Sequence, residues 1–146
     1  MIQDKKVIGL ALGGADLSAE LGSDMSWDSL LMARSMIVMQ ASKLGLLTID
    51  SPFMDINDEN LLAEESRKAK SIGFNSKFAI HPKQAKAIKE RFLPTKEELE
   101  EAKKIIEAYS NSKGGAISVD GKMVDEPIVR LMKKRLRLSG IDLENE

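Results

Sequence analysis

The segment Gly13-Gly14-Ala15-Asp16-Leu17 has the residue types and spacing best suited to chemistry in this 146-residue chain. It follows directly on a short apolar run, Val7 to Leu12. In α/β folds, ligands sit beyond the carboxyl ends of strands, where loops converge. Two glycines let the backbone approach a ligand closely. A helical turn starting near Asp16 would aim free N–H groups at an anion such as a substrate carboxylate. The Asp16 carboxylate is a hard oxygen donor of the kind Mg²⁺ takes. A plainer reading stays open, in which Asp16 caps the turn and the glycines only form it. The chain has no cysteine and one histidine, so disulfides, thiolate catalysis and Cys-ligated zinc are excluded. Any metal site must rely on carboxylates.

Three further positions carry weight. His81, in Ile80-His81-Pro82-Lys83-Gln84, ends an apolar run and could act as acid or base. With no partner nearby in sequence, the favoured reading is a local hydrogen bond that fixes the turn before a Pro-started helix. Asp125 precedes Glu126-Pro127, and its local sequence supports a helix cap and nothing more. Arg34 interrupts an otherwise apolar helical pattern. It either pairs with a buried carboxylate or runs along its stem to solvent.

These residues need elements to position them. Val7 to Leu12 reads as a strand buried on both faces. Ser26 N-caps a helix with Leu30, Ala33, Ile37, Ala41 and Leu44 on one side, and Gly45 ends it. Leu46 to Ile49 is a second strand, and Asp58 caps a helix that stops at Gly73. Phe78 to Ile80 reads as a third strand, with Pro82 opening the next helix. Strands alternating with helices predict parallel pairing with helical crossovers. After Pro94 the pattern changes. Thr95 and Glu98 form a capping box before a helix, and Gly114-Gly115 breaks it. Ala116 to Val124 then reads as a hairpin on Asp120-Gly121, followed by a last helix with a basic end.

Hydrophobic residues make up 42% and charged residues 31%, the balance of an ordinary globular chain. The net charge of -1 gives no global field toward nucleic acid or membrane. The basic end of the last helix complements that helix's own dipole, and reads as a solvated face. The apolar run near the N-terminus is too short for a membrane span and lacks a cleavage site. The lack of cysteine fits a reducing compartment, and a cytoplasmic location is expected.

In order, several segments resemble the citrate lyase beta-subunit-like family, which includes malyl-CoA and citramalyl-CoA lyases. They are GGADLSAELG (Gly13 to Gly22), ARSMIVMQASKLGLLTID (Ala33 to Asp50), AKSIGFNSKFAIHPKQ (Ala69 to Gln84), FLPTKEELEEA (Phe92 to Ala102) and DGKMVDEP (Asp120 to Pro127). Each is weak alone, and five in order over almost the whole chain are specific. One departure is Ser76, where the family usually has glycine.

The resemblance implies an α/β fold that is part of a (β/α)₈ barrel, a fold of typically ~250 residues. Residues 1–94 would supply the last three strand-helix units. Residues 95–146 would form a helix-hairpin-helix extension serving as lid and oligomer contact. The first five strands would be missing, and with them an arginine that grips substrate and a glutamate ligand of Mg²⁺. Asp16 would be the remaining Mg²⁺ ligand, and backbone N–H groups around Gly14, Ala15 and Asp16 would hold the oxo-acid carboxylate. Asp125 would transfer protons in a neighbouring subunit's site. The implied activity is cleavage of a 3-hydroxyacyl thioester, on coenzyme A or an acyl-carrier protein, into an oxo acid and an acyl thioester. The chain would be inactive alone, a homo-oligomer, with the N-terminal barrel half supplied by another chain. Two other readings stay open: a non-catalytic assembly module, and an aldolase acting on free hydroxy-oxo acids.

Overall fold

Alternation of strands and helices produces the parallel pairing expected of it. The computed structural model describes residues 7–112 and 114–141. Its elements run β1 (Gly9–Ala11), α1 (Gly14–Leu21), α2 (Trp27–Leu44), β2 (Leu47–Asp50), α3 (Glu59–Ile72), β3 (Ser76–Lys77) and α4 (Pro82–Phe92). They continue with α5 (Lys96–Ser110), β4 (Ile117–Val119), β5 (Lys122–Val124) and α6 (Glu126–Leu138). The chain divides into two compact units, Met1–Phe92 and Leu93–Glu146. Among the described residues no helix is long and apolar enough to cross a membrane.

The first unit holds a parallel sheet in the order β1-β2-β3. Gly9 pairs with Leu47 and Ile49 with Ser76. The helices start and stop where their caps dictate. Ser26 accepts from the Ser29 N–H and Asp58 from the Leu61 N–H, while Gly45 and Gly73 take the left-handed conformation at the C-caps. Asp24 braces the approach to α2. Hydrogen bonds from Ser26, its side chain foremost, and then Ser29 hold its carboxyl below the usual range. The apolar core joins Val38, Leu62, Ala69, Phe74, Ile88 and Phe92.

Three expectations need correction. The first strand is shorter than Val7 to Leu12 and is not buried on both faces, since Ala11 is exposed and Ile8 is 77% exposed. Leu12 alone of the run reaches full burial. The third strand is Ser76–Lys77, with Phe78 to Ile80 beyond it and exposed. Its buried residue is a lysine, so hydrophobicity points to the wrong stretch. Asn75 sets its start: the side chain accepts from the Thr48 N–H at 2.8 Å and its own N–H donates to the Thr48 carbonyl at 3.0 Å. The third correction is α1, a separate eight-residue helix between β1 and α2 where the sequence shows only a turn.

In the second unit, α5 opens with the full Thr95–Glu98 capping box. Asp120 and Gly121 both have positive φ, 50° and 76°, as a two-residue type I′ hairpin requires. Ala102, Ile105, Val124, Val129, Met132 and Leu136 form this unit's own core.

Strand alternation places Thr48, Asp50 and Lys77 on one sheet face, where all three are buried. Ala11, Leu47 and Ile49 fall on the other, where Leu47 is 51% exposed. Met32, Met36 and Met39 add an exposed apolar stripe along α2. Exposed apolar surface of this kind drives association. The isolated chain is therefore expected to self-associate at micromolar concentration. Light scattering checks this, and a monodisperse monomer is the contrary result.

Candidate functional site

β1 delivers the chain into α1 at its carboxyl end. Gly13 is the N-cap residue, and no side chain caps the helix. The first intrahelical bond is Leu17 N–H to the Gly13 carbonyl, at 3.0 Å. The N–H groups before it have no intrahelical acceptor, as at every helix start. Gly14, Ala15 and Asp16 form this first turn. Ala15 and Asp16 are exposed, whereas Gly14 is buried. A Cβ on Gly14 would lie 2.9 Å from Ser51 Cβ, 3.0 Å from Ser51 Oγ and 3.2 Å from Leu30 Cδ1. Gly14 is thus required for a close approach, since its φ is an ordinary helical one. The turn rests on Ser51, the residue that follows β2. A Cβ on Gly13 would lie 3.5 Å from Asp16 Oδ2, so the carboxylate lies near the backbone of the cap.

Beneath the turn lies a buried ionic network that sequence reasoning only half anticipated. Arg34 takes the first of its two options and pairs with a buried carboxylate. Its Nε donates to Asp50 Oδ1 at 2.8 Å and its Nη2 to Ser51 Oγ at 3.3 Å. Its guanidinium also stacks on Trp27, 4.4 Å from the ring centroid. Asp50 Oδ2 accepts from Lys77 Nζ at 2.9 Å, and Lys77 also pairs with Glu65. Glu65 lies 3.5 Å from Arg34 Nη2 as well. Two cations thus face two carboxylates, and all but the partly exposed Glu65 are cut off from water. A signal for Arg34 existed, since it interrupts an apolar helical pattern, whereas Asp50 and Lys77 fall outside the strands read from the sequence. Sequence could not show that they meet.

The pairing also decides which acids are free. Asp50 and Glu65 are committed to cations, which leaves Asp16 as the carboxylate of the turn. Among the described residues no group of three or more His, Asp or Glu side chains could hold a metal ion. Asp16 fits Mg²⁺ as one hard oxygen donor of a larger set, and not as a site by itself.

His81 makes the local bond expected of it: its Nδ1 accepts from the Lys83 N–H at 3.2 Å. Gln84 was missed. It is buried, its Oε1 accepts from the Ile80 N–H at 3.0 Å and its Nε2 donates to the Phe53 carbonyl at 2.9 Å. Its spacing with Ile88 and Phe92 on α4 was the available clue. Asp125 belongs to the second unit and is the N-cap of α6, accepting from the Ile128 N–H at 3.3 Å. The structure brings Gly14, Ala15 and Asp16 together in one turn of the first unit.

Residues 1–82 match the HpcH/HpaI aldolase/citrate lyase family. The chain is 33% identical over 145 residues to the citrate lyase subunit beta of Escherichia coli K12, covering 94% of this chain and 48% of that protein. It is 35% identical over 126 residues to the mitochondrial citramalyl-CoA lyase of Rattus norvegicus, covering 83% of this chain and 37% of that one. Its fold is similar to that of protein CitE from Mycobacterium tuberculosis, solved with magnesium, acetoacetate and coenzyme A. The TM-score is 0.77 at 32% identity, over 92% of this chain and 52% of that one. The chain therefore belongs to the HpcH/HpaI aldolase/citrate lyase family. It spans about half the length of the curated relatives it matches.

Removing Asp50 leaves Arg34 and Lys77 buried with one partly exposed carboxylate between them. Asp50→Ala is expected to cost about 3–5 kcal/mol, the range for breaking a buried pair from one side. Urea unfolding followed by circular dichroism measures it. A loss under ~1 kcal/mol would place these charges in the weak class of surface pairs.

Proposed function

We propose that this chain supplies part of the active site of a Mg²⁺-dependent lyase that cleaves a 3-hydroxyacyl thioester of the citryl, malyl or citramalyl type. The products are an oxo acid and an acyl thioester, on coenzyme A or an acyl-carrier protein. The observation that carries this reading is the uncapped first turn of α1, with Asp16 exposed beside it at the carboxyl end of β1. The names of the relatives agree with it: citrate lyase and citramalyl-CoA lyase. In this reading the sheet unit is the last three strand-helix units of a (β/α)₈ barrel. The rest of the barrel comes from another polypeptide segment, and the second unit is a lid.

Each residue of the turn has a distinct task. The N–H groups of Gly14, Ala15 and Asp16 bind the carboxylate of the oxo acid and orient the scissile C–C bond. The Asp16 carboxylate would hold Mg²⁺ through one oxygen. When bound, Mg²⁺ supplies Lewis-acid polarisation of the substrate hydroxyl. Asp125, besides capping α6, would transfer a proton in a neighbouring subunit's site. Loss of the hydroxyl proton, C–C cleavage and protonation of the departing enolate carbon complete the balance.

Two measurements test the reading. Mg²⁺ binding by the chain alone should be weak by calorimetry, because Mg²⁺ gives up water reluctantly for a single carboxylate. Tight binding that survives Asp16→Ala would overturn the ligand assignment. With the rest of the barrel supplied in trans or fused upstream, Asp125→Asn should lower lyase turnover by at least ~10²-fold. The melting temperature should barely move, because Asn caps a helix about as well as Asp. Near-normal turnover would return Asp125 to a capping role.

A further inference from the structure

We propose that Ser51 and Arg34 are positioning residues for the Gly14–Asp16 turn: Arg34 holds the Ser51 side chain in the one place where it supports that turn. The inference rests on the proposed function for the meaning of the turn, and on the geometry alone for the mechanical link.

Ser51 is 1% exposed and makes two separate contacts. Its Oγ accepts from Arg34 Nη2 at 3.3 Å. Its Cβ and Oγ lie directly under Gly14, at 2.9 and 3.0 Å from where a Cβ on that residue would stand. A serine side chain has three staggered positions for its oxygen. The bond from Arg34 selects one of them, and that one fills the space where a Cβ on Gly14 would stand. Arg34 is fixed in turn by Asp50 at 2.8 Å, by the Trp27 carbonyl at 3.4 Å and by the Trp27 ring. A continuous line of contact therefore runs from β2 through Asp50, Arg34 and Ser51 to the first residue of α1. The Arg fork is essential to it. A lysine could pair with Asp50 but could not also reach Ser51 in a fixed geometry.

A purely structural role for Ser51 is the competing account. In that account its hydroxyl satisfies a spare N–H of Arg34 and matters only to stability. The two accounts separate because Ser51→Ala keeps the Cβ under Gly14 and removes only the oxygen that Arg34 steers. Residues that orient a site from behind typically change metal affinity or activity by about 10- to 100-fold.

The test uses the full chain labelled with ¹⁵N, and Mg²⁺ with oxalate as the probe. In the wild type, Mg²⁺-oxalate should shift the amide signals of Gly14, Ala15 and Asp16 saturably. Ser51→Ala should raise the dissociation constant about 10-fold or more, with the melting temperature nearly unchanged. Arg34→Lys should do the same if it folds, and Ser51→Ala decides alone if it does not. Equal affinity in the wild type and Ser51→Ala would overturn the proposal. If Mg²⁺-oxalate shifts nothing in the wild type, the turn does not hold a carboxylate without the rest of the barrel. The mechanical link is then judged on the ligand-free amides. Their order parameters should fall from the rigid range near ~0.85 toward ~0.6 in Ser51→Ala, and unchanged values would overturn it.

Discussion

The pairing of Arg34 with Asp50 is the constraint on which the first unit depends. It ties α2 to β2, and through Lys77 and Glu65 it adds β3 and α3. Its value is not in net stability, because removing charges from water costs nearly as much as their attraction returns. An apolar cluster of equal volume would hold the same elements together at least as strongly. An ion network with fixed donors adds direction. Arg34 has a planar fork, Asp50 uses both oxygens, and each bond fixes the angle of the next. A core built this way has one arrangement, where a core of leucines could slide.

Direction matters because the turn above has little of its own to hold it. It has no side-chain cap, and the first intrahelical bond comes from the Leu17 N–H. Gly14 brings α1 down onto Ser51 with no side chain between them. The exposed part of the turn, Ala15 and Asp16, is the part with free donors and a free carboxylate. Its rigid support comes from below and its chemistry faces outward, an arrangement suited to binding a carboxylate and sharing a metal.

Much of this was readable in the residue order, for a local reason. Ser26, Asp58, Thr95 with Glu98, and Asp125 all cap helices as their sequence context predicts, and Asp120-Gly121 forms the hairpin turn. Such features depend on neighbours within four residues. The failures share the opposite property. β3 was misplaced because its inward residue is a lysine neutralised by side chains from β2 and α3. The burial of Gln84 depends on the Phe53 carbonyl. The outer face of β1 looks like a buried run, yet part of it is exposed. Composition marks a residue as apolar or charged, but it does not say which partner from a distant segment will stand opposite.

The two units also differ in how far along the chain their contacts reach, and this has a kinetic consequence. In the sheet, Gly9 must find Leu47 and Ile49 must find Ser76, each after a helix-bearing crossover. In the second unit, Val119 meets Lys122 across a two-residue turn. Closing a long loop costs entropy before any contact returns it, and chains rich in local contacts assemble faster. The hairpin and its flanking helices can therefore form while the parallel sheet is still searching. During that interval the unpaired strands are open to other chains, so the risk of aggregation falls on the unit that carries the candidate site.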